Sequence, residues 1–150
     1  MNKYLVIGNP IKHSLSPVIH NYWINKYNLI DSIYEKRKVE KQNLEIIVDQ
    51  IRNDELKGVN VTVPFKKEII PFLDKINAIA KNTLTVNTLF KIKNEVWGYN
   101  TDVSGFADSL NSDQIFDSKN KTIFILGAGG VTSSIIYNFT NKCKKMYISN

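Results

Sequence analysis

The chain has 150 residues, 43% of them apolar, a single cysteine and a formal charge of +6. That length supports one good core, or one domain and the start of another, and the composition is that of an ordinary globular protein. No stretch approaches the ~20 apolar residues of a membrane span, and the N-terminus lacks a signal peptide's long apolar stretch and cleavage site.

The lone Cys143 can form no internal disulfide and lies in no reactive motif, which fits a reducing, cytoplasmic setting. Arg37 and Arg52 are the only arginines, and the lysines are scattered, with short clusters at Lys36–Lys38 and Lys142–Lys145. Clustering, not net charge, marks a nucleic-acid binder, so neither nucleic acid nor membrane is expected as a partner.

Tyr4-Leu5-Val6-Ile7 reads as a buried strand broken by Gly8 and Pro10. Ser16 is a natural N-cap and Pro17 suits the first helical position. The pattern predicts a helix over 17–29, with Val18, Ile19, Tyr22, Trp23 and Tyr27 on one apolar stripe. The intervening loop sets the hydroxyls of Ser14 and Ser16 at the C-terminal edge of a sheet, where open α/β sheets bind ligands. Small hydroxyls there suit a polyhydroxylated or carboxylated ligand.

A second strand is expected over 33–39, then a helix carrying Leu44, Ile47, Val48 and Ile51 at spacings of three and four. Gly58–Val63 is a third strand, stopped by Pro64; alternation sends Asn60 and Thr62 to one face, Val61 and Val63 to the other. A short helix is predicted from Phe65 to about Pro71, and another turn over 77–81. Val86–Phe90 and Glu95–Tyr99 flank Lys91–Asn94 as a hairpin, one antiparallel element in a parallel sheet. A helix over 103–110 and a polar linker over 111–121 follow. Thr122–Leu126 is a strand, Gly127-Ala128-Gly129-Gly130 a tight turn opening a helix to about Asn141, and Met146–Ser149 a last strand.

The expected fold is therefore α/β: a mostly parallel sheet domain with one antiparallel hairpin over 1–110, a linker, and an incomplete Rossmann-type βαβ unit over 122–150. Glycines after a strand and before a helix let the backbone approach a pyrophosphate at the helix N-terminus, so the turn points to a dinucleotide. Taken locally, Lys66 reads as a surface charge and Asp102 as a helix N-cap. His13 and His20 have no acidic or cysteine partner at metal-ligand spacing; structural hydrogen bonding is expected of them, and no metal site.

Together, Gly8-Asn9-Pro10-Ile11-Lys12-His13-Ser14-Leu15-Ser16-Pro17, Asn60-Val61-Thr62-Val63-Pro64-Phe65-Lys66, Val86-Asn87-Thr88, Gly98-Tyr99-Asn100-Thr101-Asp102 and the glycine turn resemble the shikimate dehydrogenase family. The resemblance implies an N-terminal domain that binds shikimate, an NADP-binding Rossmann domain, and reversible NADPH-dependent reduction of 3-dehydroshikimate. It implies that Ser14 and Ser16 hold the substrate carboxylate, that Asn60, Thr62, Asn87 and Asp102 line the ring hydroxyls, and that Lys66 and Asp102 form the catalytic pair. Gly127, Ala128, Gly129, Gly130 and Val131 would cradle the pyrophosphate of NADP, with Asn150 opening the family's Asn-Arg-Thr run.

The sequence departs from the family at Leu84-Thr85, where Gly-Ala is common, and at Ser134, where alanine is frequent; the latter is read as a change of little consequence. The resemblance further implies a longer chain, a monomer or homodimer when full length, of which these residues are an inactive N-terminal part. The alternatives are a quinate/shikimate dehydrogenase using NAD and a non-catalytic shikimate-binding module.

Overall fold

In the computed structural model, residues 1–112 and 117–149 are described, residues 111 and 112 by their main chain alone. Strand β1 (Asn2–Gly8) lies between two parallel neighbours, β2 (Ser32–Lys38) and β3 (Gly58–Val61). The sheet order is β2-β1-β3-β5-β6-β4, with β4 at Lys75–Ile76, β5 at Thr88–Ile92 and β6 at Glu95–Tyr99. Strand β5 runs against both β3 and β6, and β4 returns parallel to β6. One strand therefore opposes the rest, as the hairpin pattern predicts. The connection is tighter than expected: Lys93, at φ 55°, and Asn94 alone make the turn. The two-residue β4 was not legible, since it is too short to show a period.

The core lies on one face of this sheet. Leu5, Ile7, Val59 and Val61 alternate inward and meet α2 (Leu44–Arg52), whose Leu44, Ile47, Val48 and Ile51 are all at most 3% exposed. Burying each such side chain contributes about 1.5–3 kcal/mol. Helical spacing identified these four residues because a helix laid on a sheet buries one 3.6-period stripe.

Helix α1 (Ser16–Lys26) covers the other face, and here the expectation fails. The predicted stripe faces outward: Val18 is 69% exposed and Tyr22 59%, and α1 buries none of its residues. Polar groups fix the inner face instead. Asn21 clamps the main chain of Tyr34 through Nδ2 to its carbonyl at 2.8 Å and Oδ1 from its N–H at 3.0 Å. The His20 ring stacks on that of Tyr34 at 4.1 Å, and Ile24 completes the contact. Ser16 is also not the N-cap: Leu15 occupies that place, and Ser16 is the first helical residue.

Strand β3 ends at Val61, two residues early, and a cis Val63–Pro64 bond redirects the chain. No helix starts at Phe65. Successive turns carry residues 63–69 into a 3-10 turn at Ile70–Phe72, drawing Phe65 and Ile69 into the core. Helix α3 (Ala78–Thr83) is capped by Asn77, whose Oδ1 accepts the Ala80 N–H at 2.9 Å.

Helix α4 (Asp102–Ser112) runs two residues past the expected boundary at 110. A second sheet pairs β7 (Thr122–Leu126) with β8 (Lys145–Ser149) in parallel, joined by α5 (Thr132–Phe139). Phe106 of α4 meets Phe139 edge-on at 5.9 Å, and Asn138 donates to the Val103 carbonyl at 2.9 Å. Among the described residues no helix is long and apolar enough to cross a membrane, and no group of three or more His, Cys, Asp or Glu could hold a metal ion.

Asp74 links β6 to α2. Its Oδ2 accepts the Val96 N–H at 2.7 Å, and Arg52 reaches both carboxylate oxygens at 3.1 and 3.2 Å. The main-chain N–H first, and Arg52 second, hold this carboxyl below its usual value of 3.8. A depressed pKa stabilises the fold at neutral pH, and the gain fades as the pH falls through the folded value. The stability difference between the protein and Asp74→Asn is accordingly expected at pH 6 and absent in strong acid. Urea melts across that range check it; a difference independent of pH excludes the charge as its source.

Candidate active site

The loop after β1 is tied to the exit of β3. Thr62 donates its N–H to the Ile7 carbonyl at 2.9 Å, and Asn9 donates to that of Val63 at 3.0 Å. Gly8 makes the approach possible, because a Cβ there would lie 2.7 Å from Thr62 Cγ2. The result is a cavity of about 290 Å³ walled by Val6, Pro10, Ile11, His13, Ser14, Ser16 and Thr62. The Ser14 hydroxyl accepts the Ser16 N–H at 3.3 Å and lies 3.2 Å from the Ser16 hydroxyl, so both hydroxyls are held together on the cavity wall.

Lys66 is no surface charge. It is 7% exposed, and its carbonyl accepts the Val86 N–H at 2.8 Å, which fixes the backbone. Its ammonium donates to Asp102 Oδ2 at 2.6 Å. Asp102 is no N-cap either: it is the first residue of α4 and turns its carboxylate onto Lys66 and Asn87. Asn87 Nδ2 donates to Asp102 Oδ1 at 2.9 Å, while Asn87 Oδ1 accepts the Thr101 N–H at 3.0 Å. Asn87 is itself strapped between Val61 and Tyr99 by main-chain hydrogen bonds. A buried charge is tolerated when paired and hydrogen-bonded, and this pair meets both conditions. Lys67, one residue on, is exposed.

Asn60 shares the face of Thr62, as alternation requires, but it is engaged elsewhere. Its Oδ1 accepts from the Tyr34 hydroxyl at 2.6 Å, and its Nδ2 donates to Thr88 Oγ1 at 3.1 Å. Burial pushes the Tyr34 phenol well above its ordinary pKa, so it stays a donor. Asn60 lines an adjoining apolar cavity of about 440 Å³ with Tyr4, Trp23 and Phe90, not the cavity of Ser14, Ser16 and Thr62.

The glycine turn faces Lys66 across a third cavity, of about 230 Å³, lined by Val63, Pro64, Lys66, Lys67, Ala128, Gly129 and Gly130. Gly127 has φ +101°, which only glycine adopts without strain, and it donates to the Ser149 carbonyl at 2.7 Å. Nothing lies within 4 Å of where a Cβ would stand on Gly127 or Gly129, so the turn's outer side is open. Val131 occupies the cap position of α5. Asn150 lies outside the described residues.

The profile of the shikimate dehydrogenase substrate binding domain matches residues 6–89. The chain belongs to the shikimate dehydrogenase family. It is 49% identical over 148 residues to shikimate dehydrogenase (NADP(+)) from Pelagibacter ubique, covering 98% of this chain and 55% of that relative. The Aquifex aeolicus enzyme is 41% identical, with 98% and 54% covered. Among solved structures, shikimate dehydrogenase 1 from Peptoclostridium difficile superposes with a TM-score of 0.91 at 34% identity, over 100% of this chain and 57% of that one. The Thermus thermophilus enzyme in complex with NADP(H) and shikimate gives 0.88 at 26% identity, with the same coverage. The chain thus spans about half the length of the curated relatives it matches.

The family membership accounts for the mostly parallel α/β sheet and for the clustering of separate motifs. Sequence reasoning missed Tyr34, which fixes Asn60, and Asn100, whose side-chain Oδ1 accepts the Asp102 N–H at 2.9 Å. Asn100 stood inside the quoted Gly-Tyr-Asn-Thr-Asp run, and its asparagine two residues before a helix start was the available signal. Ser134 has a defined place. It is fully buried, and its hydroxyl lies 2.9 Å from Asn100 Nδ2, so its oxygen is part of the packing behind the site.

Proposed function

We propose that the protein binds shikimate between the Ser14–Ser16 loop and the Lys66–Asp102 pair, and serves the NADP-dependent, reversible reduction of 3-dehydroshikimate to shikimate. The observation that carries this reading is the 2.6 Å contact of buried Lys66 with half-buried Asp102, opening toward the glycine turn and buttressed by Asn87. In this reading residues 1–110 form the substrate unit and 122–150 begin the nucleotide unit, in a cytoplasmic setting.

Ser14 and Ser16 donate hydroxyl protons to the substrate carboxylate, with Thr62 on the same wall. Reducing a ketone builds negative charge on its oxygen, and the Lys66 ammonium stabilises that charge and gives it a proton. In the oxidative direction neutral Lys66 takes the proton from the hydroxyl. Asp102 orients the lysine, and Asn87 keeps Asp102 in place. Asn60 acts from behind, through Thr88 and the Asn87 carbonyl, since its amide is already committed.

The open glycine turn and the paired Lys66 beside it fit a dinucleotide, which Gly127–Val131 would hold at the start of α5. NADP, when bound, supplies or accepts the hydride.

Calorimetric titration with shikimate is the direct test. Binding that is weakened at least about tenfold in Ser14→Ala/Ser16→Ala, through loss of two charge-assisted hydrogen bonds, is the expected result. Quinate binding in preference to shikimate would redirect the substrate assignment. Shikimate binding without NADP-linked oxidation would leave a binding module.

A further inference from the structure

Asn100 is 2% exposed, and its side chain joins four segments of the chain. Nδ2 lies 2.9 Å from Thr83 Oγ1, 2.8 Å from Thr85 Oγ1 and 2.9 Å from Ser134 Oγ. These hydroxyls sit at the end of α3, on the run into β5 and in the first turn of α5, and all three residues are buried. Oδ1 accepts the N–H of Asp102, which fixes the orientation of the amide: nitrogen toward the hydroxyls, oxygen toward α4. Thr83 Oγ1 donates onward to the Ile79 carbonyl at 2.9 Å, and Thr85 Oγ1 to Thr83 Oγ1 at 3.1 Å. Both are therefore acceptors for Asn100.

An amide nitrogen has two protons, and here three oxygens surround it. One acceptor is spare. Removing a single hydroxyl still leaves two acceptors for two protons. Removing both Thr85 and Ser134 oxygens leaves one buried N–H unpaired, and a buried unpaired donor costs more than a typical hydrogen bond contributes. The amide would then rotate to find a partner and release the Asp102 N–H.

We propose that Asn100 is a positioning residue that sets Asp102 against Lys66, and that Thr85 and Ser134 hold it as a redundant pair, tying the Lys66–Asp102 contact to the helix behind the glycine turn. The inference rests on the reading of that contact as part of a shikimate site. Redundancy gives it a signature that a purely structural role lacks. Each hydroxyl alone is dispensable to the site, and the two together are not.

The test is a double-substitution cycle on the protein with Thr85→Val and Ser134→Ala, both near-isosteric, read by calorimetric shikimate affinity and by the Asp102 amide resonance in nitrogen-15 spectra. Each single variant is expected to bind within about twofold of the parent and the double variant at least about tenfold more weakly, with the resonance moved in the double variant. Asn100→Ala reaches the same loss by a second route, and Thr85→Ser with Ser134→Ala, which keeps one hydroxyl, restores binding. Where the parent binds shikimate, affinity decides. A double variant that melts earlier yet loses less than about fivefold, or a single variant as weak as the double, overturns the proposal. If the parent does not bind shikimate, the functional reading fails by itself and the resonance decides. A shift confined to the double variant supports the positioning role, and an unmoved resonance overturns it.

Discussion

On the proposed function, replacing Lys66 by alanine in the full-length protein is expected to lower NADP-dependent shikimate oxidation by about 10²- to 10⁴-fold, the range of a positioned proton-transfer group. The side chain is buried and its ammonium lies 2.6 Å from Asp102. Its removal therefore takes away both the proton carrier and the cation that fixes the carboxylate. Asp102 retains the Asn87 amide on Oδ1 and the Asn100 Oδ1 on its N–H, so the α4 start keeps two anchors and the fold is expected to survive. Shikimate KM is expected to change much less than kcat, because in the proposed binding mode Ser14, Ser16 and Thr62, which line a separate wall, would hold the other end of the ligand. Lys66→Met, which keeps the length of the stem, should be as slow as alanine; if bulk alone mattered it would recover. Initial rates at saturating ligands decide the matter. Turnover of either variant within about tenfold of the parent removes Lys66 from the chemistry.

The parts of this molecule that were legible in the sequence are those whose signal is periodic or local. The α2 stripe and the β5–β6 hairpin came from spacing, and the strand-turn-helix around Gly127 from glycine after an apolar run. The α1 stripe was misread because apolar spacing finds an amphipathic face without saying which way it points. The inner face was set by Asn21 on the Tyr34 backbone and by His20 on the Tyr34 ring, polar contacts between residues 13 or 14 positions apart. The same limit governs the site. Lys66 and Asp102 are 36 residues apart, and each has a bland local reading that only the fold removes, by burying one and turning the other away from capping. Motif resemblance placed them together; it gave no sign that Asn60 would be committed to Tyr34, or that Thr85 and Ser134 would meet at Asn100. Hydroxyl-to-amide contacts of that kind leave no period and no composition signal.

The second large effect is expected at Gly8, where stability and ligand binding are coupled by one missing side chain. Gly8→Ala would bring a Cβ to 2.7 Å from Thr62 Cγ2, 3.0 Å from the Val63 carbonyl oxygen and 3.1 Å from Ile11 Cδ1. Thr62 Cγ2 and Ile11 Cδ1 are side-chain atoms beside the cavity and can give way, but the Val63 carbonyl is backbone already accepting the Asn9 N–H. Overpacking of this kind costs about 1–3 kcal/mol, read as a lowered melting temperature. Relief must come from moving the β3 exit away from the β1 loop, which separates Thr62 from Ser14 and Ser16. Shikimate affinity is therefore expected to fall along with stability. Leu56→Ala supplies the comparison: Leu56 is 2% exposed in the main core, away from the cavity, and its truncation should cost about 2–5 kcal/mol with affinity preserved. If both variants melt early and both bind like the parent, the close approach at Gly8 serves packing alone. If only Gly8→Ala loses the ligand, the glycine is what allows the two hydroxyls and Thr62 to share one wall.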